Sequence, residues 1–399
     1  MRLRLCIPLR LRFSYLLMKQ LYFDHNATTP LCAAAKRAWI EAVDAHWMNP
    51  SSPYRAAAAV HVRMEAARDE IAQMFAVEPE RIVFTSGATE ANNAVFRHWA
   101  GSLPGTIPVG LSPTEHPSVL EAAETCLKER RVYLAVDSDG RVDLTALKAS
   151  LAGNELAAVS VMAANNETGV LQPWQEIARL CREAGVPYHC DASQWVGKLS
   201  STGLGDCSFV SVCAHKFGGP KGVGFLILPN SETALSVLVG GEQEHAHRAG
   251  TEDVPGVLAM LAALRAAEPR PAMDRDSFIA QVTEAIPGTK VVAAGADRLW
   301  NTVSLIMPEF SSTRWVRALE KAGCLLSSGS ACSTGQAAAS HVLLAMGIDS
   351  TAASRVLRIS SGFETTTDDW QILKQAFLTA QASLRKSAAD SPSKVISID

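Results

Sequence analysis

The sequence predicts a two-part α/β protein, with a large unit built on a mostly parallel sheet wrapped by helices and a smaller α+β unit behind it. Three observations carry that expectation. Short β-rich runs alternate with amphipathic helical stretches through the first two thirds of the chain. The alternation stops at Glu268-Pro269-Arg270-Pro271, where prolines cannot continue a helix. A chain of 399 residues also exceeds what one hydrophobic core usually serves.

Taken in order, the elements begin after an unusual stretch. The first residues carry Arg2, Arg4, Arg10 and Arg12, alternate them with leucine and hold no acid. That pattern fits a transit-type presequence or a stretch ahead of a start at Met18, and residues 1–20 are expected to be an extension outside the fold. Leu21-Tyr22-Phe23-Asp24 reads as the first structural element. Strands are then predicted over Arg81–Thr85, Ile107–Leu111, Val132–Ala135, Leu156–Ala163, Pro187–Cys190, Ser208–Cys213 and Val223–Leu228. Helices over Thr89–Trp99, Val119–Arg130 and Pro173–Ala184 are long enough to cover a sheet face. A helix over Val254–Ala267 closes the large unit, 21–267. The small unit, 268–399, takes a helix near Asp274–Ala285, a strand Asn301–Met307, a helix Arg314–Lys321, a strand Val356–Ser360 and a final helix Thr367–Leu384. A cleft between the two units is the expected ligand site.

Composition narrows the function classes. Hydrophobic residues make up 48% of the chain and the formal charge is −3, with no block of like charge, so no nucleic-acid partner is expected. No apolar run reaches the roughly 18 residues of a membrane span, so no membrane partner is expected either. The nine cysteines form no C-x-x-C pair and no zinc-like spacing. That argues for a reducing, cytoplasmic setting, without a metal site, in which most of them are small buried hydrophobes.

The chemistry-bearing residues sit where strands end. In Thr85-Ser86-Gly87-Ala88-Thr89-Glu90 a strand gives way through glycine to a helix, so free N–H groups and hydroxyls converge where a phosphate can bind; a capped helix start without ligand is the plainer reading. Asp191 ends one predicted strand, Gln194 follows it, and Lys216 follows the next, which sheet geometry brings to one carboxyl edge. A carboxylate there can hold a pyridinium nitrogen protonated, and a lysine can form the Schiff base of pyridoxal phosphate chemistry. A salt bridge or a helix cap explains Asp191 equally well. Cys332 lies in Ser327-Ser328-Gly329-Ser330-Ala331-Cys332, a run of small residues suited to a loop that carries a thiol.

These segments, with Asp24-His25-Asn26-Ala27-Thr28-Thr29-Pro30, Thr114-Glu115-His116, Asn165-Asn166-Glu167-Thr168-Gly169, Asp191-Ala192-Ser193-Gln194, His215-Lys216 and Arg248-Ala249-Gly250-Thr251, resemble the cysteine desulfurases. That family is a class V branch of the fold-type I pyridoxal phosphate enzymes. The resemblance runs from about Leu21 to about Thr367, with the motifs in the family's order.

The resemblance implies roles residue by residue. Lys216 resembles the Schiff-base lysine and Asp191 the pyridinium partner. His116 is similar to the histidine that stacks on the cofactor ring and moves protons, although a histidine before proline is also a common turn residue. Asn166 and Gln194 resemble the contacts to the cofactor's phenolic oxygen. Ala88, Thr89 and His215 resemble the phosphate-binding residues, Cys213 stands where the family has a phosphate-donating serine, and Thr251 resembles a phosphate ligand lent by the second subunit of a homodimer. Arg358 matches the substrate-carboxylate arginine, with Arg355 as a competitor, and Asn26 and Asn166 lie in substrate-contact motifs.

Cys332 resembles the sulfur acceptor, which attacks bound L-cysteine as a thiolate and leaves alanine and an enzyme persulfide for an acceptor protein. The loop around it resembles the long-loop branch of the family. Departures are Cys213 itself, Gly362-Phe363-Glu364 in place of a Gly-Arg-Phe type sequence, and a short tail after Ser383. A selenocysteine lyase, another class V enzyme, or a non-catalytic relative are the alternative readings.

Overall fold

A computed structural model describes residues 20–328 and 339–390. The elements in chain order are β1 (Leu21–Tyr22), α1 (Ala33–Ala45), α2 (Arg55–Phe75), β2 (Ile82–Thr85), α3 (Ala88–Ser102), β3 (Val109–Leu111), α4 (Pro117–Leu127) and β4 (Arg131–Tyr133). They continue with α5 (Leu144–Ala152), β5 (Ala158–Ser160), α6 (Trp174–Ala184), β6 (Tyr188–Asp191), β7 (Phe209–Cys213), β8 (Gly224–Ile227), α7 (Val254–Ala266) and α8 (Met273–Ala285). The chain ends with β9 (Lys290–Val291), β10 (Thr302–Ile306), α9 (Ser312–Lys321), β11 (Cys324–Leu325), α10 (His341–Ala345), α11 (Ser350–Ala353), β12 (Val356–Ser360) and α12 (Thr367–Ala389).

Seven strands form the large sheet in the order β2-β8-β7-β6-β5-β3-β4. All seven are strands read from the sequence, mostly with tighter limits. β8 runs antiparallel to both its neighbours, and the remaining pairings are parallel. Alternation along each strand feeds two cores. Ile82, Phe84, Val210, Val212, Phe225 and Ile227 face one side, where they meet α2, α6 and α7. Val83, Phe209 and Leu226 face the other, against Val95, Phe96 and Trp99 of α3 and Val119 and Ala123 of α4. Trp99 alone, 1% exposed, is worth roughly 3–5 kcal/mol against truncation to alanine.

Helices α1, α2 and α5 were absent from the sequence reading. Alanine-rich α2 has a weak apolar stripe, and α1 turns Trp39, Ile40 and Val43 outward while burying only Ala35 and Ala42, so its large apolar residues do not mark the face it packs.

The C-terminal unit is built on a three-stranded antiparallel sheet, β12-β10-β9, covered by α8, α9 and α12. The N-terminal segment, which the sequence reading places at the head of the large unit, packs here instead. β1 pairs in parallel with β11, Asp24 bridges to Ser360, and Leu21 and Phe23 join the core of Trp315, Leu357 and Phe377. From this anchor the chain crosses to the large sheet, where Thr29 N–H donates to the His215 carbonyl at 2.8 Å. Residues 24–30 therefore lie between the two units, where the cavity opens.

Candidate active site

Parallel strands bring their carboxyl ends to one edge, so the residues that follow each strand converge. β2 runs in the same direction as β7, since both are antiparallel to β8, and its end joins the group. A cavity of about 900 Å³ lies at this edge, closed on the other side by residues 26–28, 339–341 and Arg358. Asn26, Ala88, Thr89, His116, Asn166, Asp191, Gln194, Cys213, His215, Lys216 and Arg358 all line it. Thr251 is exposed and does not line it, and Cys332 lies outside the described residues. Arg355 is turned away, with Nη1 donating to the Pro308 carbonyl at 2.6 Å, so of the two competing arginines Arg358 is the one in the cavity.

One end of the cavity is a donor cradle. Gly87 caps α3 with φ 138°, a conformation that favours glycine, and no side chain caps the helix. Beyond Ala88, whose N–H meets the Cys213 thiol, the first N–H groups of α3 have no side-chain cap, and Ser86, Thr89 and His215 lie beside them. His215 Nδ1 lies 3.2 Å from Thr28 Oγ1. Burial and the nearby Lys216 push its pKa down to about 4, so it enters as a neutral hydrogen-bonding ring. Burial also raises the Cys213 thiol, which keeps it protonated.

At the deep end sits Asp191, 6% exposed. Its Oδ2 accepts from Asn92 Nδ2 at 2.9 Å and its Oδ1 from the Ser193 N–H at 2.9 Å. Asn92 also donates to Ser118 Oγ, which lies 2.9 Å from His116 Nδ1. His116 caps α4, and Nδ1 accepts from the Ser118 N–H at 3.1 Å. An acceptor Nδ1 carries no proton, so the resting imidazole is neutral with its hydrogen on Nε2. Burial holds its pKa below the ordinary histidine value, and Lys216 and His341 push in the same direction.

Lys216 Nζ donates to the carbonyls of Asn26 and Ala27 at 2.5 and 2.8 Å. Arg358, 2% exposed, projects from β12 and donates through Nη2 to Asp24 Oδ1 at 2.7 Å and through Nη1 to the Asn166 carbonyl at 3.2 Å. The Asn26 amide is fully engaged. Its Nδ2 donates to the Asn166 carbonyl and Thr302 Oγ1, and its Oδ1 accepts from Lys198 and Asn301. Gly362 lets this junction close, because a Cβ there would come within 2.1 Å of the His25 ring. In the adjoining positions Phe363 packs against Trp300 with ring centroids 5.5 Å apart and the rings tilted by 56°, and Glu364 is exposed.

The sequence reading missed several residues that organise the site. Asn92 interrupts the apolar inner face of α3 formed by Ala91, Val95 and Phe96, and such an interruption is the signal that could have found it. Glu115 is fully buried, accepts from the Met162 N–H at 2.6 Å, and has its pKa raised well above the carboxylate range by burial and by Asp191. Ser340 donates to Glu167 Oε2 at 2.6 Å, and His341 Nε2 donates to the Glu115 carbonyl at 2.8 Å. These two bonds tie the start of α10 to the large unit. Lys198 is buried between Gln194 and Asn26.

Comparison with known proteins agrees with this architecture. The profile of the family described as "Aminotransferase class-V" matches residues 21–373. The chain is 38% identical over 356 residues to a cysteine desulfurase of Klebsiella pneumoniae, covering 86% of this chain and 88% of that protein. It is 34% identical over 386 residues to the IscS-like cysteine desulfurase of Mycobacterium tuberculosis, covering 92% and 98%. Among solved structures, a NifS-like protein superposes with a TM-score of 0.82 at 28% identity, covering 91% of this chain and all of that one. A structure described as SspA in complex with cysteine gives a TM-score of 0.76 at 26% identity, covering 85% and 98%. With its fold-type I architecture and these relatives across most of its length, the chain belongs to the class-V aminotransferase family, among the cysteine desulfurases.

Proposed function

We propose that the cavity binds pyridoxal phosphate and L-cysteine, and that the chain converts the amino acid to L-alanine while Cys332 takes up its sulfur as a persulfide for an acceptor protein. The observation that carries this reading is the convergence of the Lys216 amine, the Asp191 carboxylate and the Arg358 guanidinium, from three distant segments, on one cavity.

The residues present fit the cofactor. The start of α3, which no side chain caps, suits a phosphate together with Ser86, Thr89 and His215, and the Ser193 hydroxyl beside the Cys213 thiol offers a further polar group. Asp191 suits a pyridinium nitrogen because both its oxygens are already oriented by N–H donors. When bound, pyridoxal phosphate supplies an electron sink for charge at the substrate α-carbon.

The remaining work falls to the chain's own side chains. Arg358 holds the substrate carboxylate with a planar fork, and Asp24 keeps that fork aimed. Lys216, held by two carbonyls, is placed to accept and return the α-proton at Nζ. His116, neutral with its hydrogen on Nε2, can donate a hydrogen bond from that nitrogen within the cavity. Cys332 Sγ forms a bond to the substrate sulfur as the substrate Cβ–S bond breaks, and that electron pair stays with the carbon skeleton, which leaves as alanine once protonated. Asn26 contributes by holding the junction of the two units, since its amide is already engaged.

Thr251 is assigned to the cofactor phosphate of a second copy, and the exposed Trp39, Ile40, Val43 and Trp47 support a homodimer. A cytoplasmic setting is supported by the described cysteines, all free thiols. The direct test is to supply purified protein with pyridoxal phosphate and L-cysteine and to measure alanine and sulfide in equal amounts under reductant. Absence of both would contradict the assignment.

A further inference from the structure

Lys198 lies in the turns that follow β6 and is only 1% exposed. Its Nζ donates to Gln194 Oε1 at 2.5 Å and to Asn26 Oδ1 at 3.1 Å. Among the described residues, no carboxylate acts on it; its charged neighbours are the cations Lys216 and Arg358, with the Cys213 thiol nearby. Burial, and then Lys216, push its pKa well below the ordinary lysine value. A buried amine without a counter-charge is expensive to keep, and two aimed hydrogen bonds are what this one provides.

Those bonds have a consequence for Gln194, which lines the cavity. An amide can present either its carbonyl or its NH₂ group, and the two ends have nearly the same shape. One hydrogen of Gln194 Nε2 is given to the Asn26 carbonyl at 3.0 Å. With Oε1 accepting from Lys198 and Nε2 donating to the Asn26 carbonyl, the amide is held at both ends in one orientation, and the second Nε2 hydrogen remains for the cavity. We propose that Lys198 is a positioning residue: it fixes the Gln194 amide so that an N–H, and not a carbonyl, meets an anionic phenolate oxygen of the bound ligand.

The inference rests on the reading of the cavity as a pyridoxal phosphate site, and the test separates the two. The full chain is loaded with pyridoxal phosphate, and the visible absorbance of the lysine-bound cofactor is titrated with pH. In Lys198→Met, a similar volume without donors, the spectroscopic pKa is expected to rise by on the order of one unit, because the phenolate loses a hydrogen bond that favours its anionic form. Gln194→Met should rise by the same amount, and the double variant no further, since both changes remove one contact. A Lys198→Met shift below about a third of a unit, or a double variant whose shift is the sum of the two, overturns the proposal. Where Lys198→Met does not fold, Gln194→Met decides: a rise supports the N–H orientation and an unchanged pKa overturns it. A parent protein with no visible band on loading overturns the reading of the cavity instead.

Discussion

Arg358 and Asp24, 334 positions apart in the chain, meet with Nη2 to Oδ1 at 2.7 Å. The pair joins β12 to the N-terminal segment at the cavity wall, and it holds the guanidinium in a plane that a second carboxylate can share.

Arg358→Lys keeps the charge and loses the fork. The account expects KM for L-cysteine to rise roughly 10- to 100-fold, the size of a lost charge-assisted hydrogen bond, with the absorbance of bound pyridoxal phosphate unchanged. Steady-state kinetics with a parallel spectrum checks both halves. An unchanged KM would remove Arg358 from substrate binding.

Cys213 gives a prediction of opposite sign. Burial keeps its thiol protonated, and a thiol is a weaker donor than a hydroxyl. Cys213→Ser is expected to release pyridoxal phosphate no faster than the parent, measured as cofactor loss on dilution. Clearly faster release would mean that the sulfur makes a contact a hydroxyl cannot replace.

His189 lies in the large sheet, between Ser160 Oγ at 2.9 Å and Ser211 Oγ at 3.0 Å. Burial lowers its pKa from 6.5 to about 4. Below pH 6.5 the unfolded chain therefore binds a proton that the folded chain refuses, and stability is lost as pH falls from 6.5 towards 4. Between pH 7 and pH 5 this group accounts for about 2 kcal/mol of the loss. His189→Gln removes the titration, so its urea-derived stability should fall less than the parent's by about that amount. An equal fall in the two proteins would contradict the assignment.

The strands of the large sheet were legible because each is a short apolar run bounded by turn residues. The place of Asp191 and Lys216 at the cavity edge was legible because polar residues end or closely follow such runs. Direction and partner were not, since β8 is antiparallel through contacts with β2 and β7 that no local pattern records. Nor was the docking of Leu21 and Phe23 into the C-terminal core, which depends on residues far along the chain, such as Cys324 and Trp315. Lys198 escaped for a different reason. Lysine is almost never fully buried, so in sequence it reads as surface, and only the three-dimensional placement of Gln194 and Asn26 around it reveals otherwise.

The central claim is that cofactor chemistry and sulfur acceptance belong to separate side chains, Lys216 and Cys332. Cys332→Ser tests it most directly, because a serine hydroxyl stays protonated at neutral pH and is a poor sulfur acceptor. Loaded with pyridoxal phosphate and mixed with L-cysteine, this variant should bind cofactor like the parent and still change its visible spectrum. It should form almost no alanine and carry no persulfide by mass spectrometry. Alanine production near the parent rate would contradict the account.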